Sequence, residues 1–122
     1  WDTPFNNQLT KSITLYRGAN LNGEQIATYT DLSTHPDEYC SFQAFTSCSR
    51  NREFAETFPN TSVLFIMHVK WAFTVNLSPI SQYPEEAEEL ITPGVCFSVK
   101  RVEYDMNKKK HLISLELCQR FY

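Results

Sequence analysis

Glycine is scarce in this chain, three residues among 122, and no stretch is of low complexity, which argues against intrinsic disorder. Basic charge is also in short supply. Lys and Arg number 11 against 14 Asp and Glu, giving a net charge of -3 and a pI near 5.6. That balance leaves no general basic surface of the kind nucleic acid requires. The basic run Lys108 to Lys110 sits between two apolar segments, so nucleic acid is not an expected partner. No apolar stretch approaches the roughly 18 residues of a membrane-spanning helix. The longest is Val63 to Met67, and no signal-peptide pattern opens the chain. The expectation is a soluble protein without a membrane span, any leader having been removed. Cys-x-x-Cys spacing is missing among Cys40, Cys48, Cys96 and Cys118, and His35, His68 and His111 are scattered. A metal site is therefore not expected.

Apolar residues make up 42% of the chain and aromatics 14%, enough for one folded globular domain spanning residues 1–122. An even cysteine count suits disulfides in an oxidising compartment. In such a compartment Asn60-Thr61-Ser62 and Asn76-Leu77-Ser78 would be glycosylation acceptors. Both features favour a secreted or extracellular location, although four buried thiols would account for the cysteines as well.

Trp1 to Thr10 is polar and reads as an irregular lead-in. Ser12 to Arg17 alternates, with Ile13, Leu15 and Arg17 on one face, so a strand is predicted and Arg17 should point inward with Leu15. Gly18 to Gly23 is a turn, Glu24 to Leu32 is open between short helix and strand, and Ser33 to Glu38 is loop. Phe42 to Ser47 reads as a strand. Ser49 is a candidate N-cap for a helix over Arg50 to Phe58, which Pro59 stops. Val63 to Val69 is a dense run of strand length, and Phe73 to Leu77 a possible second extended piece. Cys96 to Val102 and Leu112 to Leu117 alternate across a polar connection and predict a hairpin. One helix against six or seven short strands argues for a mainly β sandwich or half-open barrel, of α+β class.

Three segments carry groups suited to chemistry. In Leu15-Tyr16-Arg17-Gly18 an inward arginine ends a strand at a glycine. Its planar fork suits a bidentate contact to phosphate, and Gly18 would let a ligand approach the backbone. The plainer alternative is an arginine paired with an internal carboxylate. In Phe45-Thr46-Ser47-Cys48-Ser49 hydroxyls at a strand end could bind a polar ligand or fix a carboxylate, or merely cap a helix. Glu85-Glu86-Ala87-Glu88-Glu89 precedes Leu90-Ile91, and a solvated charge run is its bland explanation. If the segment is extended, Glu86 and Glu88 share a face about 6.5 to 7 Å apart. Such a pair can divide its labour: one carboxylate stabilises positive charge as a glycosidic bond breaks, the other accepts the nucleophile's proton.

In this order the three segments resemble the Arg-Ser-Glu class of mono-ADP-ribosyltransferases, which includes arginine-specific ecto-enzymes and several bacterial toxins. Tyr16-Arg17-Gly18 matches the aromatic-Arg-Gly motif. Phe45-Thr46-Ser47-Cys48-Ser49 matches Phe-x-Ser-Thr-Ser with Cys48 in place of the middle Thr. Glu86-Ala87-Glu88 with Leu90-Ile91, Pro93-Gly94 and Phe97 matches the Glu-x-Glu motif and its sequel, and Ala55-x-x-Phe58 fits as well. The resemblance runs from about Leu15 to Val102. It implies a split β-sandwich around an NAD cleft, with NAD as substrate and no metal. Arg17 would hold the phosphates and Gly18 contact the nicotinamide amide. Ser47 and Ser49 would line the cleft, Ser47 steadying Glu88, and Phe58 would stack on nicotinamide. Glu88 would bind the ribose and stabilise the oxocarbenium-like transition state. Glu86 would orient and help deprotonate a guanidinium on a protein acceptor with an exposed arginine. Water in place of the acceptor would give an NAD glycohydrolase, and glutamates that only solvate a loop would leave a binding domain. Many relatives carry a helical segment before the first strand, whereas 16 residues precede Arg17 here.

Overall fold

The protein is described by a computed structural model over residues 7–76 and 88–118. Among these residues there are seven strands and two helices. The dense run at Val63 forms the first half of one long strand. Here β1 is Asn7–Ala19 and β4 is Val63–Asn76, and they pair antiparallel from Ala19↔Val63 to Asn7↔Val75. On its other edge β4 meets β7 (Lys110–Cys118), in parallel, from Val63↔His111 to Trp71↔Cys118. Beyond an irregularity between Val69 and Trp71, that edge turns to β5 (Glu88–Ile91) at Thr74 to Asn76. A short strand β3 (Thr46–Ser49) closes the gap, opposing β5 along its length and β1 at Tyr16↔Ser49. On the far side β6 (Cys96–Asp105) forms a hairpin with β7, and β2 (Cys40–Ser41) ends the sheet. The order is β1-β3-β5-β4-β7-β6-β2, with β1 also bound to β4. The result is a curled, half-barrel mixed sheet, the mainly β fold with few helices that the strand pattern predicts.

Alternation fills the interior. Leu15, Val63, Val69, Ile91, Ile113 and Leu117 are buried in one cluster with Met67 and Val99. Each such side chain stabilises the fold by about 1.5–3 kcal/mol relative to leaving it in water. Helix α1 (Gly23–Ser33) begins at a capping box, in which the Asn22 side chain accepts from the Gln25 N–H and the Gln25 side chain accepts from the Asn22 N–H. Ile26, Tyr29 and Leu32, spaced three apart, turn one stripe of α1 to the sheet. Tyr29 meets Phe65 edge-on with ring centroids 5.3 Å apart.

Several boundaries differ from those the sequence predicts. The first strand starts at Asn7 within the expected lead-in, because backbone pairing with β4 does not depend on side-chain polarity. Val63 to Asn76 is one strand rather than two pieces. Phe42 to Ser47 is not one strand. The chain leaves β2, is held by Phe42 N–H donating to the Val95 carbonyl and Gly94 N–H donating to that of Phe42, and crosses to β3, next to β1 at the far end of the sheet order. The helix there, α2, is only Arg52–Glu56, and its N-cap is Asn51, whose side chain accepts from the Phe54 N–H. Ser49 stays in β3, and its hydroxyl accepts from the Asn51 N–H at 2.9 Å.

Candidate active site

Three strands bring the predicted groups together. On β1, Arg17 shares the inward face with Leu15, which is fully buried. Its Nη1 donates to the Ser47 carbonyl at 2.7 Å, tying β1 to β3 across 30 residues of sequence. On β3, the Ser47 hydroxyl donates to Glu88 Oε2 at 2.8 Å. Their strands pair with Ser49↔Glu88 and Ser47↔Leu90, so Ser47 and Glu88 are diagonal neighbours on one face. The hydroxyl holds the carboxylate, and the carbonyl of the same residue holds the guanidinium. Arg17, Ser47 and Glu88 thus form one hydrogen-bonded line with Ser47 at its centre.

Arg17 also faces a cavity of about 350 Å³, within the size range of small-ligand sites. Tyr29, Gln43 and Thr46 give this cavity polar edges, and Phe42, Phe65 and Phe97 give it apolar walls. Phe42 and Phe97 lie with ring centroids 4.9 Å apart. A cation on the wall of an aromatic-lined cavity suits a ligand with both anionic and planar parts.

The other predicted residues fall as follows. Glu86 lies outside the described residues. Gly18 packs under α2: a Cβ there would stand 2.7 Å from the Ala55 carbonyl oxygen, so the helix already occupies the space beside it. Phe58 is half exposed, lies edge-on to Phe54 with centroids 5.0 Å apart, and is not part of the cavity wall. Ser49 is buried next to Glu88 in the β3–β5 pairing.

Sequence reasoning missed Glu89 and Arg50. Glu89 is fully buried, and Arg50 Nε donates to its Oε1 at 2.6 Å. The signal was available: Glu89 sits two residues before buried Ile91, on the inward face of β5, whereas Glu88 faces Ser47. Opposite Glu89 across the pairing lies Cys48. Burial pushes the Cys48 thiol up to about 12; Arg17 pulls it down in part, and Glu89 adds to the rise. A thiol held protonated is not a nucleophile. Among the described residues no group of three or more His, Cys, Asp and Glu side chains is placed to hold a metal ion. Nor is any helix among them long and apolar enough to cross a membrane.

The fold superposes on HopU1, an ADP-ribosyltransferase of Pseudomonas syringae, with a TM-score of 0.74 at 24% identity, covering 91% of this chain and 47% of that one. Similar folds are an ADP-ribosyltransferase of Clostridium botulinum (TM-score 0.67, 14% identity, 91% and 62% covered) and an ADP-ribosyltransferase toxin of Paenibacillus larvae (TM-score 0.68, 17% identity, 92% and 64% covered). The chain therefore spans between about half and two thirds of the length of these proteins. A search of curated proteins gives no match. The family model for NAD:arginine ADP-ribosyltransferases matches residues 5–120, and the chain belongs to that family.

Proposed function

We propose that this chain transfers ADP-ribose from NAD to arginine side chains of a protein acceptor, with release of nicotinamide. The observation that carries the reading is the Ser47–Glu88 hydrogen bond at 2.8 Å beside Arg17. Arg17 would take the pyrophosphate, its fork matching the paired oxygens. Glu88, fixed by Ser47 before substrate arrives, would lie against the ribose and stabilise positive charge as the bond to nicotinamide lengthens. A carboxylate held in place spends nothing on reorganisation when that charge develops. Glu86, two residues before Glu88, would orient the acceptor guanidinium and take its proton, which an ordinary arginine, with a pKa above about 12, holds firmly at neutral pH. The family's arginine chemistry supports that assignment.

The test is nicotinamide release from NAD with and without agmatine, run beside Glu88→Gln and Glu86→Gln. The expected result is release that depends on agmatine, yields ADP-ribosyl-agmatine, and falls by several powers of ten in both variants. Release indifferent to agmatine and to Glu86 would mean that water is the acceptor. No release at all would leave a binding domain.

A further inference from the structure

Cys96 opens β6, Cys118 closes β7, and the two are direct partners across the antiparallel pair. Directly opposed side chains project to the same face. The Cα separation of such partners is about 4.5 or 5.5 Å according to the hydrogen-bonding position. Either value lies within the roughly 4.4–6.8 Å that a disulfide spans.

The same registers set the other two cysteines apart. Cys40 opposes Phe97 while its neighbour Ser41 opposes Cys96, so Cys40 and Cys96 project to opposite faces of the sheet. Cys48 lies on β3 opposite Glu89, with β5 and β4 between it and β7 in the sheet order. All four are thiols in the structure. We propose that Cys96 and Cys118 form a disulfide under oxidising conditions, as a pair encoded by strand register.

The bond forms by exchange with a small-molecule disulfide such as oxidised glutathione. Half-buried Cys118, once deprotonated, attacks one glutathione sulfur and expels the first glutathione thiolate. Cys96, nearly covered, gives up its proton and attacks Cys118 Sγ in the mixed disulfide, expelling the second. Two protein thiols are oxidised, and one glutathione disulfide is reduced to two thiols.

The bridge would fasten the end of the hairpin remote from its 106–109 turn and so close β6 and β7 into a ring. That end borders the cavity. Phe97 follows Cys96 directly, and the turn before it holds Phe42 through the Gly94 and Val95 backbone. Oxidation should therefore stiffen one aromatic wall of the cavity.

The chain is equilibrated with excess oxidised glutathione, quenched in acid, alkylated in denaturant and digested with trypsin. Cleavage after Lys100 and Lys110 separates the two cysteine peptides, so a bridge between them is read directly by mass. The expected product is the Cys96–Cys118 peptide pair, with Cys40 and Cys48 alkylated. Its reduction should lower Tm by about 10–15 °C, as expected for a loop of this length. The double variant Cys40→Ser/Cys48→Ser should keep both the bridge and the Tm difference, and Cys118→Ser should lose both. A bridge that includes Cys40 or Cys48, a stable glutathione adduct on Cys118 without a bridge, or alkylation of all four would overturn the proposal.

Discussion

Removing Arg50 exposes the cost of the buried carboxylate beside the site. Glu89 is fully buried on β5 and receives the Arg50 Nε at 2.6 Å, while the Arg50 side chain is 43% exposed. Breaking a fully buried pair costs about 3–5 kcal/mol, because a charge is left without its partner. Here water can enter from the Arg50 side, so Arg50→Met should cost about 1–3 kcal/mol, the range for a charge-assisted hydrogen bond. An unfolding entropy of about 2 cal/mol/K per residue converts this into a fall in Tm of about 4–12 °C for a chain of this size. Glu89→Leu with Arg50→Met places an apolar side chain in line with Ile91 and removes both charges, so the double variant should recover most of the loss. The assay is thermal unfolding by circular dichroism for both singles and the double, with nicotinamide release measured alongside. An Arg50→Met Tm within about 1 °C of the parent, or a double variant no more stable than the sum of the singles, would refute the view that the pair holds β5 in place.

Gly18→Ala places a methyl 2.7 Å from the Ala55 carbonyl. Since backbone must move to admit it, a loss of about 1–3 kcal/mol is expected, read by urea unfolding. Ser47→Ala removes the 2.8 Å hydrogen bond to Glu88. It should cost about 1 kcal/mol in stability but ten-fold or more in kcat for nicotinamide release, and a kcat equal to that of the parent would contradict the positioning role. Cys48 should resist iodoacetamide at about pH 8 in the native state and react once unfolded, as intact-mass kinetics would show. Its raised folded value also sets a pH window. The stabilising contribution is complete below the unfolded pKa near 9 and is lost as pH rises towards about 12. Cys48→Ala should flatten the alkaline fall in stability over that range, and half-buried Tyr29, also raised by desolvation, should supply part of what remains.

The parts of the fold that sequence reading reaches are those where side-chain pattern and burial coincide. Leu15, Ile113, Leu115 and Leu117 alternate because each strand has one face on the core, and that face is visible as a period of two. The segment of helix α1 reads as either helix or strand, although Asn22 and Gln25 already spell a capping box three residues apart. Its Thr28 and Thr30, poor helix formers, blur the pattern, and tertiary packing of Ile26, Tyr29 and Leu32 decides it. The start of β1 at Asn7 is not visible at all. Hydrogen bonds to β4 define it, and main-chain pairing leaves no mark on a polar sequence.

At the site the sequence places Arg17 by strand alternation and Ser47 only as a hydroxyl at a strand end, and it does not show the link between them, since the bond runs to a main-chain carbonyl. The acidic run is harder because adjacent glutamates look alike until a face is assigned. Counting back in twos from Ile91 makes Glu89 the inward residue and turns Glu88 towards Ser47, which is the geometry observed. One strand start thereby gives two neighbouring carboxylates opposite duties. Glu89, locked by Arg50, fixes how β5 lies against β3, and that setting determines where Glu88 meets the Ser47 hydroxyl. A slip of β5 by one residue would exchange the two carboxylates, sending Glu88 into the core and Glu89 into the site. What opposes that slip is the rest of the strand, since the same shift would turn fully buried Ile91 out of the core.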